Sequence, residues 1–243
     1  MRLFPQLSAA SVPPAYRFPR SPVQRMTCLA GLLFVLCAAD TPDWISTSRA
    51  TGAEPQKPAS TELFNGTDLT GWEGSTDLWT VSEGMIVGRS SGLKQNEFLS
   101  TTETYGDFEL SLEFRLESGK GNSGIQFRSL RVPGSSAMEG YQADIGQQYW
   151  GCLYDEHRRR KILAQAPPEL FQKLKKAGWN QYTIRAEGNR IRLTLNGVTT
   201  VDYTEKDASL PATGLIALQL HSGPPMKIEF RNLKLTRLGA PDN

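Results

Sequence analysis

The chain has 243 residues, 39% of them hydrophobic, with 22 glycines and 15 prolines. That composition fits a globular, turn-rich protein of one or two domains and argues against a disordered or membrane-embedded one. The formal net charge is +2, from 27 basic and 25 acidic residues, but residues 1–39 hold Arg2, Arg17, Arg20 and Arg25 and no acid. Beyond them 23 basic residues face 25 acidic ones, so the composition gives no ground for a nucleic-acid partner.

Residues 1–39 read as an export signal. A basic region ending at Arg25 precedes the apolar run 28–36, and Cys37-Ala38-Ala39 supplies small residues before Asp40. The run is well short of the roughly 20 residues that cross a bilayer, so no membrane span is expected. A start at Met26 would leave the signal little basic charge. Leu36 is bulkier than the residue that a lipoprotein site at Cys37 requires. Cleavage near Ala39 and export to the periplasm or beyond are the expectation. Cys28 and Cys37 leave with the signal, so Cys152 stands alone and the core must form without a disulfide.

Residues 40–60 mix Thr, Ser, Pro and Ala without periodicity and read as a flexible tether, with Trp44 and Ile45 as odd members. One domain is expected over 61–238, with 239–243 as a tail. It opens with the turn dipeptide Asn65-Gly66, followed by a hairpin in which Glu83-Gly84 joins 79–82 to 85–87. A short strand covers 98–100. The clearest strand is 107–117, where Phe108, Leu110, Leu112, Phe114 and Leu116 alternate with Glu109, Ser111, Glu113, Arg115 and Glu117. The charged run 155–161 (DEHRRRK) has a solvated loop as its ordinary reading. Residues 167–176 form the one expected helix, with prolines at the start and Leu170, Phe171 and Leu174 at helical spacing. Strands 181–187 and 190–195 flank Gly188-Asn189, and Asn196-Gly197 is the strongest hairpin signal, leading into 198–203. Residues 214–221 read as a buried strand. Residues 227–235 alternate Ile228, Phe230, Leu233 and Leu235 with polar residues and slip register near Asn232. Many short strands and scarcely a helix predict an all-β fold, an antiparallel sandwich or barrel. A jelly-roll sandwich is the expected form, because its curved inner sheet offers a face to a ligand.

The stretch 119–156 stands apart. Its strand-like segments 124–129 and 140–145 put apolar residues on one side of the pleat. Gln126, Arg128, Gln142 and Asp144 fall on the other. Such residues usually face water. Two neighbouring strands both carrying them, with aromatics nearby, make a lined pocket a fair rival.

Several chemistries are set aside. There is neither a phosphate-binding Gly-x-x-x-x-Gly-Lys loop nor a Gly-x-Gly-x-x-Gly after a strand. Cys152, beside Trp150, reads as a packed residue rather than a nucleophile. His157 and His221 lack the spacing of a zinc site; a carboxylate site for a divalent metal from Asp144, Asp155 and Glu156 would have to be assembled by the fold. His221 ends the apolar run 215–220 just before Ser222-Gly223-Pro224-Pro225, a good place for proton transfer, although a hydrogen-bonded structural histidine fits equally. An ordinary glycosidase needs two acids roughly 5–9 Å apart across a cleft. Glu109 and Glu113 share a strand face, as acids on an exposed face also do.

Taken in order, several segments resemble one family: LFNGTDLTGWEG (63–74), YGDFELSLEFRL (105–116), GNSGIQFR (121–128), GYQADI (140–145), GCLYDEHRRRKIL (151–163), WNQYTIRAEGNRI (179–191), LNGV (195–198) and LIALQLHSGPPMKIEFRNLKL (215–235). The family is that of the 3-keto-disaccharide hydrolases, or 3-keto-glucoside lyase/hydratase domains. The resemblance implies a concanavalin-like sandwich in an exported bacterial protein of sugar breakdown, acting on glycosides oxidised at C3. A C3 ketone acidifies the C2 proton, so a base can remove it and expel the C1 aglycone, after which water adds to the unsaturated sugar. By analogy His221 is base or acid, with Asp144 or Glu113 sharing that work, and Arg128 steadies the oxyanion. Gln126, Tyr141, Gln142, Tyr154, Glu156, Arg158 and Gln219 contact sugar hydroxyls. Many relatives carry Glu where this chain has Gln142, which removes one candidate base or metal ligand. A non-catalytic carbohydrate-binding sandwich is the alternative.

Overall fold

A computed structural model describes residues 60–239. The expected leader, the tether up to residue 59 and residues 240–243 of the tail lie outside the described residues. Strand β1 (Ser60–Glu62) is followed by β2 (Trp72–Glu73), β3 (Trp79–Ser82), β4 (Met85–Ser90) and β5 (Glu97–Thr101). Next come β6 (Phe108–Leu116), β7 (Asn122–Arg131), β8 (Met138–Gly146), β9 (Leu153–Glu156) and β10 (Lys161–Ala164). After one short helix, α1 (Leu170–Lys173), β11 (Asn180–Glu187), β12 (Arg190–Leu195) and β13 (Val198–Thr204) precede β14 (Leu215–Leu220) and β15 (Met226–Arg237).

These strands form two antiparallel sheets, the jelly-roll sandwich that the pattern predicts. One runs β13-β12-β11-β6-β15-β4-β3 with β1 added on β15; the other runs β10-β9-β8-β7-β14-β5-β2. The alternation of β6 explains its place. Phe108, Leu110, Leu112, Phe114 and Leu116 are at most 1% exposed and point at the second sheet. Burying each such side chain stabilises the fold by about 1.5–3 kcal/mol. Ile125, Phe127, Tyr141, Ala143, Ile145, Leu218 and Leu220 answer from the second sheet in the same cluster. Phe108 meets Phe127 edge-on with centroids 6.3 Å apart, and Phe114 stacks on Trp150 at 6.2 Å.

Turn chemistry agrees with the sequence. Asn196 and Gly197 both take positive φ (49° and 78°), as a two-residue hairpin matching strand twist requires. The register slip near Asn232 is a bulge in which β15 shifts against β6 between Arg231 and Lys234. Two expectations change. The helix over 167–176 shrinks to a single turn, because Asn180 bonds the backbone of Lys175 and Gly178 and bends the chain there. Only Leu170 is buried in it, too little to offset costly helix nucleation. The charged run is solvated only in part, with Arg160 and Lys161 exposed. Asp155 is fully buried and accepts from both Arg158 and Arg159, and Arg159 grips Glu205 through both terminal nitrogens at 3.3 and 2.7 Å. The Glu205 hydrogen bonds outweigh the opposing effect of burial. Those from Arg159, the Asp207 amide and the Tyr141 hydroxyl hold its carboxyl down at about 2.

Candidate active site

The second sheet turns its other face away from the core, and polar side chains collect there. In register, Gln126 of β7 opposes Gln142 of β8, and Gly124 opposes Asp144. On the other flank of β7, Ala217 of β14 opposes Gln126 and Leu218 opposes Ile125, which brings Gln219 beside Gly124. These groups form a hydrogen-bonded ladder. Ser129 Oγ lies 2.6 Å from Gln126 Oε1, Gln126 Nε2 donates to Gln142 Oε1 at 3.1 Å, and Gln142 Nε2 donates to Asp144 Oδ1 at 2.8 Å. Gln142 Nε2 also reaches Gln219 Oε1 at 3.4 Å. Gly124 makes the bridge possible, since a Cβ there would stand 2.6 Å from Gln142 Cδ. Gln126, Gln142, Asp144 and Gln219 are all at most 3% exposed. Burying so many polar groups is tolerable because most of them bond one another, although Gln219 Nε2 is left without a partner.

A cavity of about 140 Å³ opens on this ladder, lined by Asn122, Gln142, Asp144, Tyr149, Tyr154, Glu156 and His221. Tyr154 arrives from β9 opposite Gln142, and Glu156 arrives two residues later on the same face. Tyr149 comes from the turn after β8 and meets Tyr154 edge-on, centroids 6.2 Å apart. That turn is anchored by buried Trp150 and by mutual backbone bonds between Asp144 and residues 151–152. His221 stands just beyond β14. Its Nδ1 lies 2.6 Å from the Ser222 carbonyl oxygen, which can only accept. Nδ1 therefore carries the hydrogen, and in the neutral ring Nε2 is left with its lone pair.

Proton affinities differ along the wall. Burial pushes Asp144 well above the usual carboxylate range, the Gln142 amide pulls it back in part, and the Glu156 charge adds to the rise. Glu156 is also raised by burial, against the opposing pull of His221, His157 and Arg160. Burial keeps the Tyr154 hydroxyl protonated, with its pKa raised further.

Of the residues singled out in the sequence, Gln142, Asp144, Tyr154, Glu156 and His221 line the cavity, and Gln126 and Gln219 support its floor. Four lie elsewhere. Arg128 takes φ 46° at a bulge where β7 shifts against β8, so alternation fails there. Its guanidinium bonds Gly106 O, Gly188 O and Asp107 Oδ1 instead, so it steadies no oxyanion in this cavity. Tyr141, in step with the core residues, stacks on Phe127 and donates to Glu205 at 2.8 Å. Arg158 lies over the Tyr141 ring, 4.6 Å from its centroid. Glu113 is on the outer face of the opposite sheet, held by Arg231 Nε and Asn232 Nδ2 at 2.7 and 2.8 Å. Asp155 faces inward toward the arginines, away from Asp144 and Glu156. Among the described residues no three His, Cys, Asp or Glu side chains are grouped to hold a metal ion. The reading missed Asn122 and Tyr149. Asn122 sits two residues before Gly124 on the same face, a signal that alternation carries; Tyr149, in a turn, has no periodic signal.

A larger cavity of about 430 Å³ is lined by Arg128 and Glu205, which are held in ion pairs, and by Tyr141, Lys206 and Asp207. The smaller one gathers the acids, the histidine and the tyrosines and is the candidate site.

The chain belongs to the family described as 3-keto-alpha-glucoside-1,2-lyase-like domain, which matches residues 59–236. No curated protein matches its sequence. Its fold is similar to that of a "putative glycosyl hydrolase" from Parabacteroides distasonis, with 21% identity and a TM-score of 0.58, covering 74% of this chain and 94% of that one. It is also similar to carbohydrate binding module CBM66 from Bacillus subtilis, at 19% identity and a TM-score of 0.54 over 68% and 94% of the two chains. The beta-glucanase of Bacillus licheniformis shares 14% identity and a TM-score of 0.50 over 76% of this chain and 100% of that one. At such identities the likeness is one of fold, which hosts both binding and catalysis.

Proposed function

We propose that this cavity hydrolyses 3-keto-glycosides by elimination and hydration. The supporting observation is that Asp144 and His221 line one cavity: a carboxyl that burial raises well above the usual carboxylate range, and an imidazole whose Nδ1 is held by Ser222 and whose Nε2 is free. A raised carboxyl facing a free imidazole nitrogen suits acid and base roles. The C3 ketone acidifies the C2 hydrogen, and His221 Nε2 takes that proton. The C1–O bond breaks, its electron pair leaves with the aglycone oxygen, and Asp144 gives that oxygen a proton. The Tyr154 hydroxyl is the donor for charge developing on the C3 oxygen. Water then adds to C1 of the 3-keto-2-hydroxy-glucal while a proton returns to C2, and the sum is hydrolysis. No Lys or Arg lines the cavity, which fits a neutral sugar. The leader read at residues 1–39 supports a location for this work outside the cytoplasm.

The test is incubation with a 3-keto-disaccharide and with its unoxidised parent. Turnover of the oxidised sugar alone is expected, and His221→Ala lowers it by roughly 10²–10⁴ with the fold intact by melting. Turnover of neither sugar, with binding retained, would identify a binding sandwich instead.

A further inference from the structure

Asn122 takes no part in the chemistry above, yet it lines the same cavity and is 5% exposed. Its Oδ1 is buried and has no hydrogen-bond partner. Buried polar atoms are almost always paired, because an unpaired one forfeits the bond that it made with water. None of its neighbours answers it: the nearby Gln219 Nε2, itself without a partner, does not bond it. Across β8 Asn122 opposes Gly146, which has no side chain to offer. Continuing the β7–β14 register past Leu218 brings it beside His221, whose Nδ1 hydrogen is turned to Ser222. An acceptor can be answered only by a donor. A ketone oxygen cannot serve, and a hydroxyl can.

We propose that Asn122 is a specificity-determining residue whose Oδ1 accepts a hydrogen bond from one ring hydroxyl of the bound sugar. The site thereby selects a neutral ring bearing a hydroxyl at that position. The cavity is well below the roughly 300 Å³ at which drug-sized pockets begin, so it takes one ring at a time. This rests on the cavity being the sugar site. It also carries a consequence that a structural role would not: the orphan acceptor burdens the empty protein and is relieved by the ligand.

Asn122→Leu, similar in volume and without the acceptor, separates the two effects. The unliganded variant melts at or above the wild-type temperature, while calorimetric affinity for the non-reacting, unoxidised glycoside falls about tenfold, the worth of one hydrogen bond. Among monodeoxy analogues of that glycoside, one loses the same factor against the wild type and loses nothing further against Asn122→Leu. Asn122→Asp keeps the acceptor and keeps the discrimination against that analogue. Equal affinity of wild type and Asn122→Leu, or additive losses for every analogue, overturns the role of Asn122 alone. A wild-type protein that binds none of these sugars overturns it together with the proposed function.

Discussion

Burial raises the Asp144 carboxyl well above the usual carboxylate range, and that ties the proposed acid to stability. Its folded pKa lies above the ordinary 3.8, so between those two values the folded chain holds more protons than the unfolded one. The resulting stabilisation is complete below about 3.8 and is lost as pH rises through the folded value. Asp144→Asn removes the titration and keeps an oxygen for the Gln142 amide. Measured by thermal melting across pH, the variant should equal the wild type in acid and overtake it toward neutrality, while turnover collapses. Parallel melting profiles would contradict the buried acid. The facing of Asp144, Gln142 and Gln126 was legible because no irregularity interrupts the pleat between Gln142 and Asp144, nor between Gln126 and the β7 residues before it. Arg128 lies only two residues past Gln126, and one left-handed backbone angle carried it out of the pattern.

At the level of the strand, close approach does what side-chain chemistry cannot. Gln142 can bridge Asp144 and Gln219 only by lying flat over Gly124, where β7 presents no Cβ. Gly124→Ala would force that amide aside without adding charge or removing any polar group. Overpacking of this kind costs about 1–3 kcal/mol of stability, read by denaturant unfolding. Turnover should fall at least about tenfold, the factor set by roughly 1.4 kcal/mol, as Asp144 loses its partner. Unchanged kinetics would mean that the ladder does not organise the site. Alternation and turn signals located the longer strands but not β1, β2, β9 or β10, which are too short to show a period. They could not show that Asp155, Arg158 and Arg159 would turn inward. That depends on Glu205, almost fifty residues away and brought there by the sandwich.

For the molecule as a whole, the two sheets divide the labour. One covers the core and carries Glu113 on its outside; the other closes the core with one face and builds the candidate cavity on its second. The fold class could be read from turn signals and alternation, and family membership from segments spread along nearly the whole domain. The assembly of the site could not, because His221 of the β14 end meets Asp144 and Glu156 only through the strand order β9-β8-β7-β14. Fold alone does not separate a sugar-binding module from an enzyme, so the decisive observation is chemical. When a 3-keto-disaccharide is converted in D₂O and the released 3-keto sugar is followed early by NMR, elimination and hydration predict deuterium at C2 in step with turnover. That gain should exceed the exchange of the same sugar without enzyme and vanish with His221→Ala. A product whose C2 keeps its original hydrogen through turnover would mean direct displacement at C1, and would contradict the mechanism.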